Sequence, residues 1–207
     1  RVAYDALLVA TGASATAPPI PGKELPGVCH LWTLADANKA LAKARKGAEV
    51  VFIGAGFIGF IVLNAIYKIG CRIAVVELEE QILPRMLDQQ SASLVEAWLA
   101  GKGVEIYTGT TVQAIELLPD GRKNLRLHDG RALTADLIII ATGIRANVDL
   151  VKGSGIAVKD GIVVNERMRT NFSNVYAAGD VAEGPDLLGG RAVHAIQPTA
   201  EDHGRIA

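Results

Sequence analysis

Residues 49–59 read EVVFIGAGFIG, a β-branched apolar run, Glu49-Val50-Val51-Phe52-Ile53, that opens directly onto Gly54, Gly56 and Gly59. A continuous apolar run of this length predicts a strand buried on both faces, as in a parallel sheet. The glycines open a predicted helix that reaches about Ile69 and closes at Gly70, where a left-handed cap suits glycine. Arg72 to Glu77 then reads as a second buried strand ending in an acid, 23 positions after Gly54. Strand, glycine turn, helix and strand make one βαβ unit of the kind that binds dinucleotides. In it Gly54 allows the tight turn, Gly56 lets a pyrophosphate approach the backbone, and Gly59 lets the helix pack on the strand. The helix N-terminus offers unpaired N–H groups and about half a positive charge to the phosphates. Glu77 selects the ligand, because a carboxylate there accepts from both ribose hydroxyls and repels a 2′-phosphate; Leu78, Glu79 and Glu80 bring no arginine to reverse that. NADH is expected over NADPH, an ordinary surface glutamate at a strand end being the alternative.

Outward from this unit, PPIPGKELPG at residues 18–27 holds four of the eight prolines and predicts an extended connection and a domain boundary. A helix is expected from about Leu34 to Lys46, with Thr33 and Asp36 at capping-box spacing and Gly47 past its end. A longer helix, about Leu87 to Lys102, leads to a strand at Val104–Tyr107. From Thr110 to Thr134 the pattern alternates, with turns at Asp120-Gly121 and Asp129-Gly130, which predicts antiparallel hairpins. Asp136 to Ala141 is again a continuous apolar strand, finishing at Thr142-Gly143. Beyond Asn147 come short strands near Ile156–Val158 and Ile162–Val164, then Val175 to Asp180, and a final helix from Pro198. The opening stretch, Tyr4 to Gly12, reads as a buried strand in need of neighbours on both sides. That stretch follows Arg1 with no initiating Met and the last helix stops short, so the chain is expected to be a piece of a longer polypeptide.

The 207 residues carry 21 basic and 22 acidic side chains, with half the residues apolar and 22 glycines. The charge balance points away from nucleic acid and membranes, and the Gly-rich, aromatic-poor composition suits an α/β protein. Cys29 and Cys71 match no metal or redox spacing and read as inert core thiols, so a cytoplasmic setting is expected, and no apolar run approaches the roughly 20 residues that span a bilayer, so a soluble chain is expected. No metal cluster and no nucleophile–base pair stand out. Lys39, Lys43 and Lys46 form a helical face open to solvent. His194 and His203 have no paired acid and read as structural, and Arg85 and Asp88 join a strand to the next helix.

The chain resembles the pyridine nucleotide-disulfide oxidoreductase superfamily, in the branch of ferredoxin and rubredoxin reductases, NADH oxidases and nitrite reductase flavoprotein subunits. The resemblance rests on YDALLVATGA at 4–13, PPIPG at 18–22, IGAGFIG at 53–59, ILPRMLD at 82–88, ATGIRAN at 141–147, and Thr170 ten residues before Asp180 in TNFSNVYAAGD. It implies a Rossmann-like FAD/NAD(P)-binding α/β fold with a parallel sheet plus an antiparallel β-meander. Residues 28–147 would be the NADH-binding domain, flanked by partial FAD-binding segments at 1–27 and 148–207, and the loop of Arg85 and Asp88 would alternatively border the adenosine. Implied cofactor contacts are Gly54, Gly56, Phe57, Ile58, Gly59, Glu77, Thr142, Gly143, Thr11, Gly12, Gly179 and Asp180, with Asp180 bonding the ribityl chain of FAD and the helix after Pro198 aimed at the flavin. The family's own FAD fingerprint would lie upstream of Arg1, so FAD is expected to belong to the parent protein and not to be held by this piece alone.

One position departs from the family. Ile61 stands where a glutamate near the nicotinamide is usual. The resemblance implies an NADH-dependent flavoprotein that passes hydride from NADH to flavin and electrons to an acceptor such as an iron–sulfur protein, rubredoxin, oxygen or a disulfide, with a homodimer compatible. Catalytic residues are not identified. The alternative, motivated by Ile61, is a catalytically impaired NADH-binding sensor or docking module; a single-dinucleotide dehydrogenase is disfavoured because no downstream acid–base residue stands out.

Overall fold

The structure, a computed structural model, describes residues 2–207. Arg1, the expected start of the first flavin-domain segment, lies outside the described residues. The chain forms two units: the residues up to Ser14 together with Ile144–Ala207, and Ala15–Gly143. β1 (Leu7–Val9) opens the first unit, and β2 (Ala13–Ala15) carries the chain into the second.

The second unit continues with β3 (Val28–His30), α1 (Leu34–Leu41), β4 (Glu49–Ile53), α2 (Phe57–Ile69), β5 (Arg72–Val76), α3 (Gln89–Ala100) and β6 (Glu105–Tyr107). Then come β7 (Val112–Leu117), β8 (Lys123–Leu127), β9 (Ala132–Ala135) and β10 (Leu137–Ile140). Five strands pair in the order β3-β10-β4-β5-β6, every neighbour parallel. β10 and β4 are central because their side chains are apolar on both faces, and every residue of β10 is buried.

Strand alternation divides those side chains between two cores. Val50, Phe52, Val75 and Ile139 pack with Leu63 and Ile66 of α2 and Leu99 of α3. Val51, Ile53, Val76, Ile138 and Ile140 pack instead with Ile115, Leu125, Leu127 and Ala135 of the antiparallel strands β7, β8 and β9. The hairpin turns fall at Asp120-Gly121 and Asp129-Gly130 as expected; each aspartate accepts the backbone N–H two residues on, and each glycine has positive φ. At the start of β8, Lys123 is only 1% exposed and its ammonium donates to the Asp136 carbonyl at 2.8 Å. Gly27 leaves room for it, since a Cβ there would overlap Nζ.

Three expectations are corrected. α1 ends at Leu41 rather than near Lys46, because the chain must turn to seat Ala44 and Ala48 in the first core; the Arg45 carbonyl accepts the Ala48 N–H and the Cys71 thiol in that turn. Residues 18–27 are a series of tight turns rather than an extended connection, with Ile20 buried and the Pro21 carbonyl accepting the Ile115 N–H. They group with the second unit, and β3 follows them where no strand was expected. The capping box at Thr33 and Asp36 and the left-handed cap at Gly70 form as expected.

The first unit adds β11 (Ile144–Ala146), β12 (Ile162–Val163), β13 (Val175–Ala177), β14 (Ala182–Pro185), β15 (Arg191–Ala192) and α4 (Gln197–Ile206). β1 pairs in parallel with β13, and β14 pairs with β12 and β15. Val9, Ile162, Val175, Ala177 and Val181 form its core. The third correction lies here: β1 was expected to be buried, yet Leu7 and Leu8 are exposed, because among the described residues the strand is paired along one edge only. Glu183 is buried against Arg191, whose guanidinium also donates to the Val164 and Glu183 carbonyls, which ties β15 back onto β14.

Phe52 shows how much the first core matters. Phe52→Ala should cost about 3–5 kcal/mol, the range for a fully buried aromatic, read as a lowered midpoint in urea unfolding with unchanged slope.

Candidate functional site

Parallel pairing brings the C-terminal ends of β4, β5 and β10 to one edge of the sheet, and the expected dinucleotide residues gather there. Gly54 leaves β4 with φ +98°, and its N–H donates to the Val76 carbonyl at 2.8 Å. A Cβ at Gly54 would lie 2.6 Å from the Ala141 carbonyl oxygen just beyond β10. Gly59, in the first turn of α2, has the same neighbour, since a Cβ there would lie 3.3 Å from the Ala141 Cβ. Both glycines are therefore fixed by the protein's own packing. Gly56 differs: φ is −81° and nothing stands within 4 Å of where its Cβ would be. It caps α2 with no side-chain hydrogen bond, leaving the first-turn N–H groups, those of Phe57 and Ile58 among them, uncapped by any side chain.

Glu77 follows β5 and is only 8% exposed. Its Oε2 accepts the Ala55 N–H at 2.6 Å and its Oε1 the Glu79 N–H at 3.0 Å. Each carboxylate oxygen keeps a further lone pair for a ligand hydroxyl. Ala55 is held from the other side as well, its carbonyl accepting the Leu83 N–H at 3.0 Å. Leu83 has φ +50°, a left-handed conformation uncommon outside glycine, and precedes a proline that disfavours the helical region. Neither Ala55 nor Leu83 carried a sequence signal for this clamp. Asp88 caps α3 by accepting the Ser91 N–H at 2.7 Å, and that N–H with the Ser91 hydroxyl holds its carboxyl below the usual range. Arg85 is exposed on the loop between.

Thr142 and Gly143 continue from β10. The Thr142 hydroxyl donates to the Thr16 carbonyl, and the Thr16 N–H donates to the Gly143 carbonyl, both at 3.0 Å. Ile61 stands 57% exposed on α2. Cys71 is buried and Cys29 half-buried; burial raises both thiols, Cys29 to about 11.

In the other unit β1 and β13 end side by side, the Val9 carbonyl accepting the Ala178 N–H. Beyond them, the Thr11 hydroxyl donates to the Asn147 carbonyl at 2.7 Å, Asn147 Nδ2 donates to the Thr11 carbonyl, and the Asn147 N–H donates to the Gly12 carbonyl. Gly179 has φ +72°, and a Cβ there would lie 3.4 Å from the Ala200 Cβ of α4. Asp180 follows in the same short turn, half-buried. Pro198 sits in the first turn of α4, which has no side-chain cap. Thr170 pins its own turn, donating to the Val175 carbonyl and accepting the Phe172 N–H. His203 on α4 has a buried Nδ1 without a partner; burial lowers its pKa, with His194 adding to the effect. Among the described residues no group of His, Cys, Asp and Glu is placed to hold a metal, and no helix is long and apolar enough to cross a membrane.

Residues 1–198 match the family described as pyridine nucleotide-disulphide oxidoreductase. The chain belongs to that family. It is 36% identical over 206 residues to the NADH-dependent phenylglyoxylate dehydrogenase subunit epsilon of Aromatoleum evansii, covering 100% of this chain and 49% of the relative. With the rubredoxin-NAD(+) reductase of Pseudomonas putida it shares 35% over 191 residues, 92% of this chain and 50% of that protein. Among solved structures, a NAD-dependent persulfide reductase from A. fulgidus superposes with a TM-score of 0.92 at 35% identity, over 98% of this chain and 38% of the other. The chain thus spans about half the length of the curated relatives it matches. The Rossmann-like α/β architecture with an added antiparallel layer is the one the resemblance implied.

The contrast between the glycines gives a stability test. Gly54→Ala should destabilise the chain by about 2–4 kcal/mol, from the left-handed backbone and the overlap with Ala141, whereas Gly56→Ala should stay within about 1 kcal/mol of the parent in the same urea titration.

Proposed function

We propose that Ala15–Gly143 is the NADH-binding domain of an FAD-dependent oxidoreductase, and that the segments on either side are parts of its flavin domain. The observation that carries this reading is the pairing of an open Gly56 with a preset Glu77. The bare backbone at Gly56 and the uncapped first turn of α2 would receive the pyrophosphate, whose negative charge the helix N-terminus favours. Glu77 would accept both hydroxyls of the adenosine ribose with the lone pairs left free by Ala55 and Glu79, and its charge would exclude a 2′-phosphate. Thr142 and Gly143, held by Thr16, would border the nicotinamide half. Two relatives bear names that specify NADH or NAD(+), which supports the choice of dinucleotide.

On the flavin side, Gly179 leaves a bare backbone beside Asp180, which suits hydrogen bonding to a polyol chain, and the uncapped N-terminus of α4 would face developing negative charge. Thr11 and Gly12, fixed by Asn147, would line the same approach. When bound, the flavin supplies a two-electron acceptor for the hydride of NADH. Electrons would then leave to an acceptor such as rubredoxin, an iron–sulfur protein, oxygen or a disulfide. Ile61 favours a second reading: an isoleucine cannot orient a nicotinamide through charge, so a chain that binds NADH without reducing flavin would act as a sensor or docking module.

Two measurements test these readings. Titrating the 207-residue chain with each dinucleotide should give tighter NADH than NADPH binding; Gly56→Val should abolish both, and Glu77→Gln should narrow the preference at least about tenfold, because it removes the carboxylate charge that repels the 2′-phosphate. Tighter NADPH binding by the parent chain would overturn the assignment. In the full-length protein, anaerobic NADH should bleach the flavin; tight NADH binding without bleaching would select the sensor reading.

A further inference from the structure

A cleft of about 440 Å³ lies beside β3, between the turns at 24–27 and α1, and Cys29, Lys39 and Lys43 are among its lining. A smaller cavity of about 160 Å³ adjoins it, sharing Cys29 and Lys39 and reaching His30. Neither is lined by the glycine turn, Glu77 or Thr142 and Gly143. The larger one is in the range of small-molecule sites, about 300–1,000 Å³.

In the larger cleft two cations, Lys39 and Lys43, stand with one carboxylate, Glu24. Lys39 and Lys43 stand four residues apart, a spacing at which like charges repel. Behind Gly27, which lines the cleft, the Lys123 ammonium is buried with one acceptor for its three N–H groups. Burial lowers its pKa and Lys43 lowers it further, so the two cations sense each other. Asp36 lines the smaller cavity beside Lys39 and holds the α1 capping box, while Asp136 accepts the Glu49 N–H and pairs with Arg45. Glu24 remains, exposed at the rim.

We propose that this cleft binds a small phosphate-bearing molecule, its anion held by Lys39 and Lys43 and its organic part lying along Val28 and Cys29. Compact ammonium groups suit a phosphate as point charges. The site lies on the same unit as the dinucleotide turn yet uses none of its residues, so it is an additional site on the chain.

Inorganic phosphate is the probe, followed through backbone amide resonances of the 207-residue chain at constant ionic strength set with chloride. Saturable shifts are expected at Gly27, Cys29 and His30 and along α1. Lys39→Ala/Lys43→Ala, both exposed positions that leave the cores intact, should weaken those shifts at least about tenfold while preserving phosphate-induced shifts at Gly56 and Phe57. Gly56→Val should do the reverse, separating this site from the dinucleotide turn. Shifts near Gly27 that are absent, non-saturating, matched by chloride, or unchanged in the double lysine variant would overturn the proposal.

Discussion

The close approach of the Ala141 carbonyl to Gly54 is the constraint on which the candidate site depends. It forces a left-handed, side-chain-free residue at the end of β4, and that residue reverses the chain tightly enough for α2 to start over the sheet edge. Gly59 then keeps α2 close to the same carbonyl's residue. With the turn drawn against β10, Ala55 comes within reach of Glu77 on one side and Leu83 on the other. The turn is thus gripped from three neighbouring segments, and the one glycine that packing does not require, Gly56, is left facing open space.

The sheet that carries this turn is a two-sided layer. One set of alternating residues in β4 and β10 meets α2 and α3, the other meets the antiparallel strands. Neither face tolerates a polar residue, which is why β10 reads Leu-Ile-Ile-Ile without a break. The antiparallel strands are a structural cover for the second face, and the ammonium of Lys123 is folded into their junction with β10 through a backbone carbonyl alone.

What the sequence made legible was local. The β4–α2–β5 unit, the two Asp-Gly hairpins, the capping box at Thr33 and the stop at Gly70 each depend on residues within a few positions of one another, and each formed where expected. What escaped depended on distant partners. α1 stops at Leu41 because Ala44 and Ala48 are needed in a core built from other strands. The proline-rich segment folds back because Gly22 and Pro21 meet Ile115, nearly a hundred residues away. Leu83 adopts a conformation that its own sequence disfavours because Ala55 offers an acceptor. Of the candidate site, the glycines and the acid were readable as a pattern; the hydrogen bonds that preset the acid were not, since they run to main-chain groups that have no sequence signature.

Those bonds have an evolutionary consequence. Because the Glu77 carboxylate satisfies the N–H groups of Ala55 and Glu79, the dinucleotide choice proposed for it and the integrity of the turn would rest on one side chain. A lineage drifting toward a phosphorylated coenzyme could not simply discard the acid; it would have to acquire a substitute acceptor for the turn first, or pass through an intermediate that holds neither coenzyme well. On the proposed reading, coenzyme preference would be an inherited trait that resists single-step change.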